Sequence, residues 1–204
     1  EGNVLPGVVM SDGHRIVILE VGGVVRTIGG DTGSILHTWT LEGLEFYAAS
    51  LTADDELIVT YLREDSTLAV AAFGLTKSSE SDTLQPLWDT DFGRGTLPSV
   101  VQPPALGNDG RVYVIVSSQV ACIEHGRINW RAPAGESQYY QYVTVLNDNS
   151  ALVAAGGMLT HVSADGERAF LVQFPIGEMV TTPAVIDASG KIYVGTNRGV
   201  RLVR

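Results

Sequence analysis

A turn residue recurs along the chain at a near-constant interval. Gly13, Asp55, Gly110, Asn149 and Gly190 each follow an apolar approach and precede an alternating apolar run, and they are 42, 55, 39 and 41 residues apart. The one long interval contains the polar stretch KSSESDT, residues 77–83, which reads as a loop insertion. A unit of about 40 residues cannot bury its own apolar face, so the repeat demands neighbours of the same kind stacked against one another.

Residues 103–130, PPALGNDGRVYVIVSSQVACIEHGRINW, show the unit best. The turn Asn108, Asp109, Gly110 leads into Val112, Val114 and Val116. A second run carries Val120, Cys122 and Ile123, and Gly126 turns the chain into Ile128 and Trp130. The period is two, the residues are β-branched or aromatic, and Asp-Gly supplies the positive φ of a hairpin turn. The first unit follows the same plan through Ser11, Asp12, Gly13, the strand HRIVIL at 14–19 and VVRTI at 24–28. In the second, LIVTYL at 57–62 and TLAVAAF at 67–73 follow a turn at Asp54, Asp55 that lacks glycine. Asn149 stands in for glycine in the fourth, because asparagine tolerates the left-handed conformation. Gly126 and Gly166 also share an aromatic four residues on, Trp130 and Phe170, whereas Gly33 has His37 at that offset.

Four short strands in about 40 residues are the pattern of a propeller blade. The expectation is an all-β chain: a β-propeller of about five four-stranded antiparallel blades in one domain over 1–204, at roughly 5–43, 44–92, 96–132, 138–174 and 178–204. The last blade is incomplete, with three strands. Only Glu1–Val4 within the sequence could lend it an outer strand, so the open edge is expected to pair with another segment, a partner or a portion outside these residues.

Charge narrows the partners. A formal net charge of −10 with no two basic residues adjacent excludes the basic face that binds phosphate backbones, so no nucleic acid is expected. No apolar run is long enough for a bilayer span. The absence of Met at Glu1 leads to the expectation of a processed chain or a piece of a longer one. Cys122 is the single cysteine and lies in an apolar run, which reads as a buried structural thiol.

The repeat resembles the PQQ-like β-propeller repeat of quinoprotein dehydrogenases and BamB-like proteins. The residues that carry the likeness are TTPAVIDASGKIYVGTNRGVRLV at 181–203, the 103–130 unit and, less closely, IGGDTGSILHTW at 28–39. The resemblance implies a cell-envelope or extracellular setting. Such propellers commonly close with eight or seven blades, so either this is a small five-membered ring or it is part of a larger one. Quinoprotein dehydrogenases place adjacent cysteines, an acidic base and a metal beside their quinone, and one cysteine departs from that set.

Candidate chemistry is sparse. His14, His37, His125 and His161 fall at unrelated points of different units and have no ligand-like spacing. Asp89, Thr90, Asp91 and Asp54, Asp55, Glu56 have oxygen ligands but lack the twelve-residue calcium-loop pattern. No serine lies in a nucleophile motif. No catalytic residue, cofactor or metal site is therefore assigned. The face opposite the Asp-Gly turns is expected to carry Phe46, Tyr47, Arg94, Gly95, Tyr139, Tyr140, Asn197 and Arg198, of which the aromatics and arginines are the types that dominate interaction surfaces. The function expected is a non-enzymatic scaffold for a protein partner. The alternatives are a small-molecule or carbohydrate-binding propeller of the lectin or sensor kind, or a non-catalytic fragment of a larger quinoprotein-like enzyme.

Overall fold

The computed structural model describes residues 9–11, 14–76, 83–94, 102–116, 118–135 and 141–203. All regular structure among them is β. Two compact units divide the chain, Glu1–Gly95 and Thr96–Arg204.

The first unit holds two antiparallel four-stranded sheets. One is β1 (Val9–Ser11), β2 (Arg15–Glu20), β3 (Val24–Gly29) and β4 (Ile35–Thr40); the other is β5 (Leu44–Leu51), β6 (Glu56–Arg63), β7 (Thr67–Thr76) and β8 (Thr83–Arg94). The second unit holds β9 (Ala105–Leu106), β10 (Val112–Val116), β11 (Gln119–Glu124) and β12 (Arg127–Pro133), then β13 (Gln141–Val145), β14 (Ala151–Ala155), β15 (Met158–Val162) and β16 (Arg168–Gln173). Its last sheet has three strands, β17 (Val180–Ile186), β18 (Ile192–Thr196) and β19 (Gly199–Val203). Each sheet is a meander of sequential strands, the blade of a β-propeller.

The recurring turns are one structure repeated. Thr52, Gly107, Leu146 and Asp187 each donate a backbone N–H to the carbonyl four residues on, at 2.8–3.0 Å, and Ser163 does the same in the β15–β16 turn. The fourth residue of every such turn is left-handed: Asp55 (φ 62°), Gly110 (81°), Asn149 (61°), Gly166 (89°) and Gly190 (80°). Asp55 thus performs the glycine's task in the turn that lacks one. Gly13 lies outside the described residues, as does most of the polar insertion, which connects the paired ends Thr76 and Thr83 of β7 and β8.

Acidic side chains staple these turns. Asp148 accepts from the Ser150 amide (3.0 Å) and hydroxyl (2.6 Å); Asp187 accepts from Ser189 in the same way and from the Lys191 amide. The serine hydroxyl bonds, foremost, hold both carboxyls below their ordinary pKa. These two carboxylates are therefore committed to local structure.

Burial shows how blades stack. Every residue of β14 is buried, which requires cover on both faces. Tyr113, Ile115, Val120 and Cys122 pack against Val143, Ala151, Val153 and Val162 of the following sheet. Leu152, Ala154 and Leu159, on the other face of that sheet, pack against Val180, Ala184 and Val194 of the last. In the first unit Val17, Leu19 and Val25 meet Phe46, Leu57, Val59, Ala69, Ala71 and Phe73. Each buried Val, Leu, Ile or Phe among them contributes on the order of 1.5–3 kcal/mol.

Side-chain hydrogen bonds fix the stacking register. Tyr113 donates to the Asn149 carbonyl at 2.6 Å, Tyr142 to that of Thr181 and Thr144 to that of Ala184, both at 2.8 Å. Trp130 donates from Nε1 to the Ala164 carbonyl at 2.8 Å and lies on Gly166, where a Cβ would sit 2.7 Å from its ring. The matching offset of Phe170 from Gly166 does not give it this role. Gly126 belongs to a tight two-residue turn and Gly166 to the longer one, so the strands start at different phases. Phe170 pairs with Thr160, itself opposite Val153 on the face turned to the preceding sheet, and is 57% exposed.

Gly110→Ala is expected to lower stability by about 1–2 kcal/mol through the left-handed φ alone, because nothing lies within 4 Å of its Cβ position. Gly166→Ala should lose more, since its methyl also meets Trp130. Urea denaturation of the two variants separates the effects; equal losses would show that the indole moves aside freely.

Candidate functional site

The turns between second and third strands, and the links from one sheet to the next, gather at one end of the second unit. Hydrogen bonds join them there: Ala134 N–H to the Ser118 carbonyl, Phe174 to Gly157, Val180 to Gly156 and Asn197 to Met179, at 2.7–2.9 Å. One link described in full is Pro175–Met179, between β16 and β17. Proline starts its turn and Gly177 takes φ 77°, so the chain reverses over four residues, closed by Glu178 N–H to the Pro175 carbonyl.

Two residues expected to bind a partner hold this loop in place. Asn197 donates from Nδ2 to the Gly177 carbonyl (3.2 Å) and accepts from the Met179 amide at Oδ1 (3.0 Å). Arg198 donates to the Ile176 carbonyl at 3.4 Å. Beneath the loop the Glu178 side chain is fully buried. Arg201 grips both of its oxygens, at 2.5 and 2.7 Å, and the Thr196 hydroxyl donates to Oε1 at 2.7 Å. The Arg201 guanidinium, then the Thr196 hydroxyl, hold the carboxyl down to a pKa of about 2. What this framework displays is apolar: Ile176 is 98% exposed and Met179 39%.

The other expected residues divide. β5 begins at Leu44, earlier than the sequence suggested, because Leu44 and Phe46 both pack into the apolar cluster of the first unit. Phe46 is therefore a core residue with no exposed surface, a correction to its assignment as a loop side chain. Tyr47 is half-buried at the bulge between the pairs Phe46↔Tyr61 and Ala48↔Thr60, its pKa raised by burial and by Glu45. Arg94 is the exposed last residue of β8 rather than a loop residue. Gly95, Tyr139 and Tyr140 lie outside the described residues. Ile176, Met179 and Glu178 were not singled out from sequence; an isolated isoleucine between proline and glycine was the available signal.

The polar clusters are internally committed. Asp89 accepts from Tyr61 (2.8 Å) and from Arg63 (2.5 Å), and Asp91 faces Arg63 at 3.5 Å, so an arginine neutralises these carboxylates. Burial, then Asp89, pushes the Tyr61 hydroxyl up to about 12. Burial pushes the Cys122 thiol up to about 11, that of an inert structural cysteine. His37 stacks on Trp39, His14 and His125 are exposed and His161 lies on β15. A cleft of about 460 Å³ runs between β13 and β17, lined by Thr144, Val145, Asn147, Val185, Ile186 and Asp187. A second, of about 320 Å³, lies in the first unit beside Glu45, Arg63 and Glu64.

Three solved structures share the fold. The C-terminal WD40 domain of Sif2 is 14% identical with a TM-score of 0.66, over 97% of this chain and 54% of its own. The WD40 β-propeller domain of Doa1 is 15% identical with a TM-score of 0.63, over 100% and 65%. A protein of unknown function from Bacteroides caccae is 16% identical with a TM-score of 0.58, over 92% and 69%. The chain thus spans about half to two thirds of the length of these chains. No family model matches it, and no curated protein matches it. The chain has the β-propeller fold of the two WD40 domains, and at such identities the likeness extends to the fold alone.

Glu178 gives the loop end a pH dependence. Its native carboxyl titrates near 2 against an ordinary 4.5, so the ion pair stabilises the fold fully above about 4.5 and is lost as the pH falls towards about 2. Between those values the melting temperature of the wild type is expected to fall more steeply than that of Glu178→Gln. Parallel curves would remove Glu178 from the loop's support.

Proposed function

We propose that the chain is a non-enzymatic scaffold, one propeller domain of PQQ-like repeats working in the cell envelope or outside the cell, that binds a protein partner through the loop end of its second unit. The observation that carries this reading is Ile176: a large apolar side chain almost wholly in solvent, on a loop whose backbone is tied down by Asn197, Arg198 and Glu178. Exposure of that kind loses free energy in isolation, and a rigid mount spares the ordering cost of association. Arg198 beside it adds a cation that a carboxylate on the partner can meet. The fold supports the reading in a general way, since propellers present rigid loop surfaces.

A second reading rests on the cleft between β13 and β17. Its volume falls within the range of about 300–1,000 Å³ usual for small-molecule sites. Asp187, its charged residue, is already satisfied by Ser189, Lys191 and Tyr193, which favours the protein-binding reading.

Ile176→Asp is expected to weaken the partner's binding at least tenfold, about 1.4 kcal/mol, with the melting temperature unchanged. The partner is identified by cross-linking in the native extract and its affinity measured by calorimetry. Equal affinities for wild type and variant would overturn the assignment of the loop.

A further inference from the structure

Beside Ile176 the Pro175–Met179 loop carries a charge. Arg198 reaches it from the turn between β18 and β19 and donates from Nη2 to the Ile176 carbonyl at 3.4 Å. Gly177 leaves room for this approach: a Cβ there would lie 3.4 Å from the same nitrogen. An exposed apolar side chain and a guanidinium are thus held side by side on one short loop, by contacts that all lie within residues 176–201.

That charge is in surplus. Arg201 already occupies both oxygens of Glu178, whose side chain has no exposed surface, and Arg198 acts on the same carboxylate through space. Two guanidinium groups against one buried carboxylate leave a positive charge at the surface. Among the described residues the Arg198 side chain makes one hydrogen bond, a long one, so most of its donors remain for a partner. Elsewhere in the second unit the described carboxylates lie at the opposite end: Asp109, Glu124, Asp148, Asp165, Glu167 and Asp187 sit in or beside the turns between first and second or third and fourth strands, and outnumber the four basic residues there. An anionic segment is therefore drawn to the loop end of this unit rather than to its turn end. A lone arginine suits a carboxylate, which it can meet with two parallel bonds, whereas phosphate recognition relies on clusters of arginine.

We propose, resting on the protein-binding role of this loop, that the segment it takes is acidic: an internal stretch of a partner polypeptide whose large apolar side chain packs on Ile176 and Met179 while a neighbouring Asp or Glu carboxylate pairs with Arg198. The apolar contact supplies most of the affinity, and the ion pair selects among apolar segments.

The probe is a library of random segments of about twelve residues, displayed internally so that no free carboxyl terminus is presented, and selected on the full 204-residue protein. Segments retained by the wild type and lost on Ile176→Asp are expected to join a large apolar residue to an Asp or Glu within about four positions. One such peptide, end-blocked and fluorescent, should bind Arg198→Glu about tenfold more weakly by anisotropy, and bind the wild type more weakly as salt rises from about 0.05 to 0.5 M. Because Arg198 also steadies the loop, the acid of the peptide is changed to its amide and tested against wild-type protein, with a loss of about fivefold expected. An Ile176-dependent set without enriched acids, or equal binding of the amide peptide, overturns the acidic partner and leaves the loop's role standing. A set with no dependence on Ile176 overturns both. No enriched segment together with an Ile176-dependent dimer in sedimentation overturns the proposal in favour of a second copy of the chain.

Discussion

A β-sheet with two apolar faces cannot be stable alone, and every feature of this chain answers that constraint. β14 is buried throughout because sheets lie on both sides of it. The residues that meet across those faces are mainly aliphatic and interchangeable in kind, so hydrophobic contact sets the spacing of the sheets without setting how they slide. Sliding is fixed by the polar contacts: the Tyr113, Tyr142 and Thr144 hydroxyls and the Trp130 indole each find one carbonyl on the neighbouring sheet. Missing one of those carbonyls would leave a partly buried donor unsatisfied, which penalises a slipped register.

The fold was legible because its signals are local. Alternation of apolar residues marks strands, and a left-handed position marks each turn whether glycine, asparagine or aspartate fills it, as Asp55 and Asn149 demonstrate. Even the three-stranded last sheet could be read by counting runs after Thr181. The aromatic offset shared by Trp130 and Phe170 marks the turn before each fourth strand but not the face each ring takes, because hairpin length sets the face on which a residue emerges.

The surface was less legible, for a physical reason. Tyrosine, phenylalanine and arginine serve cores and interfaces alike, and sequence alone does not say which side of a strand they take. Phe46 went to the core because β5 starts two residues before it. Asn197 and Arg198 lie in the turn beside Pro175–Met179 and fix that loop, so under the proposed function they act first through Ile176. Glu178 could not be recognised as buried, since its burial depends on Thr196 and Arg201 from two strands that meet it only in the folded sheet.

Hydrogen exchange read strand by strand tests the central claim, that blades are stabilised by apolar cover on both faces. Amides of β14, buried throughout, should exchange only through global unfolding, while those of the exposed outer strand β16 exchange through far cheaper local opening. Protection of β16 equal to that of β14 would mean that cover does not set the stability of a strand, and would contradict the account.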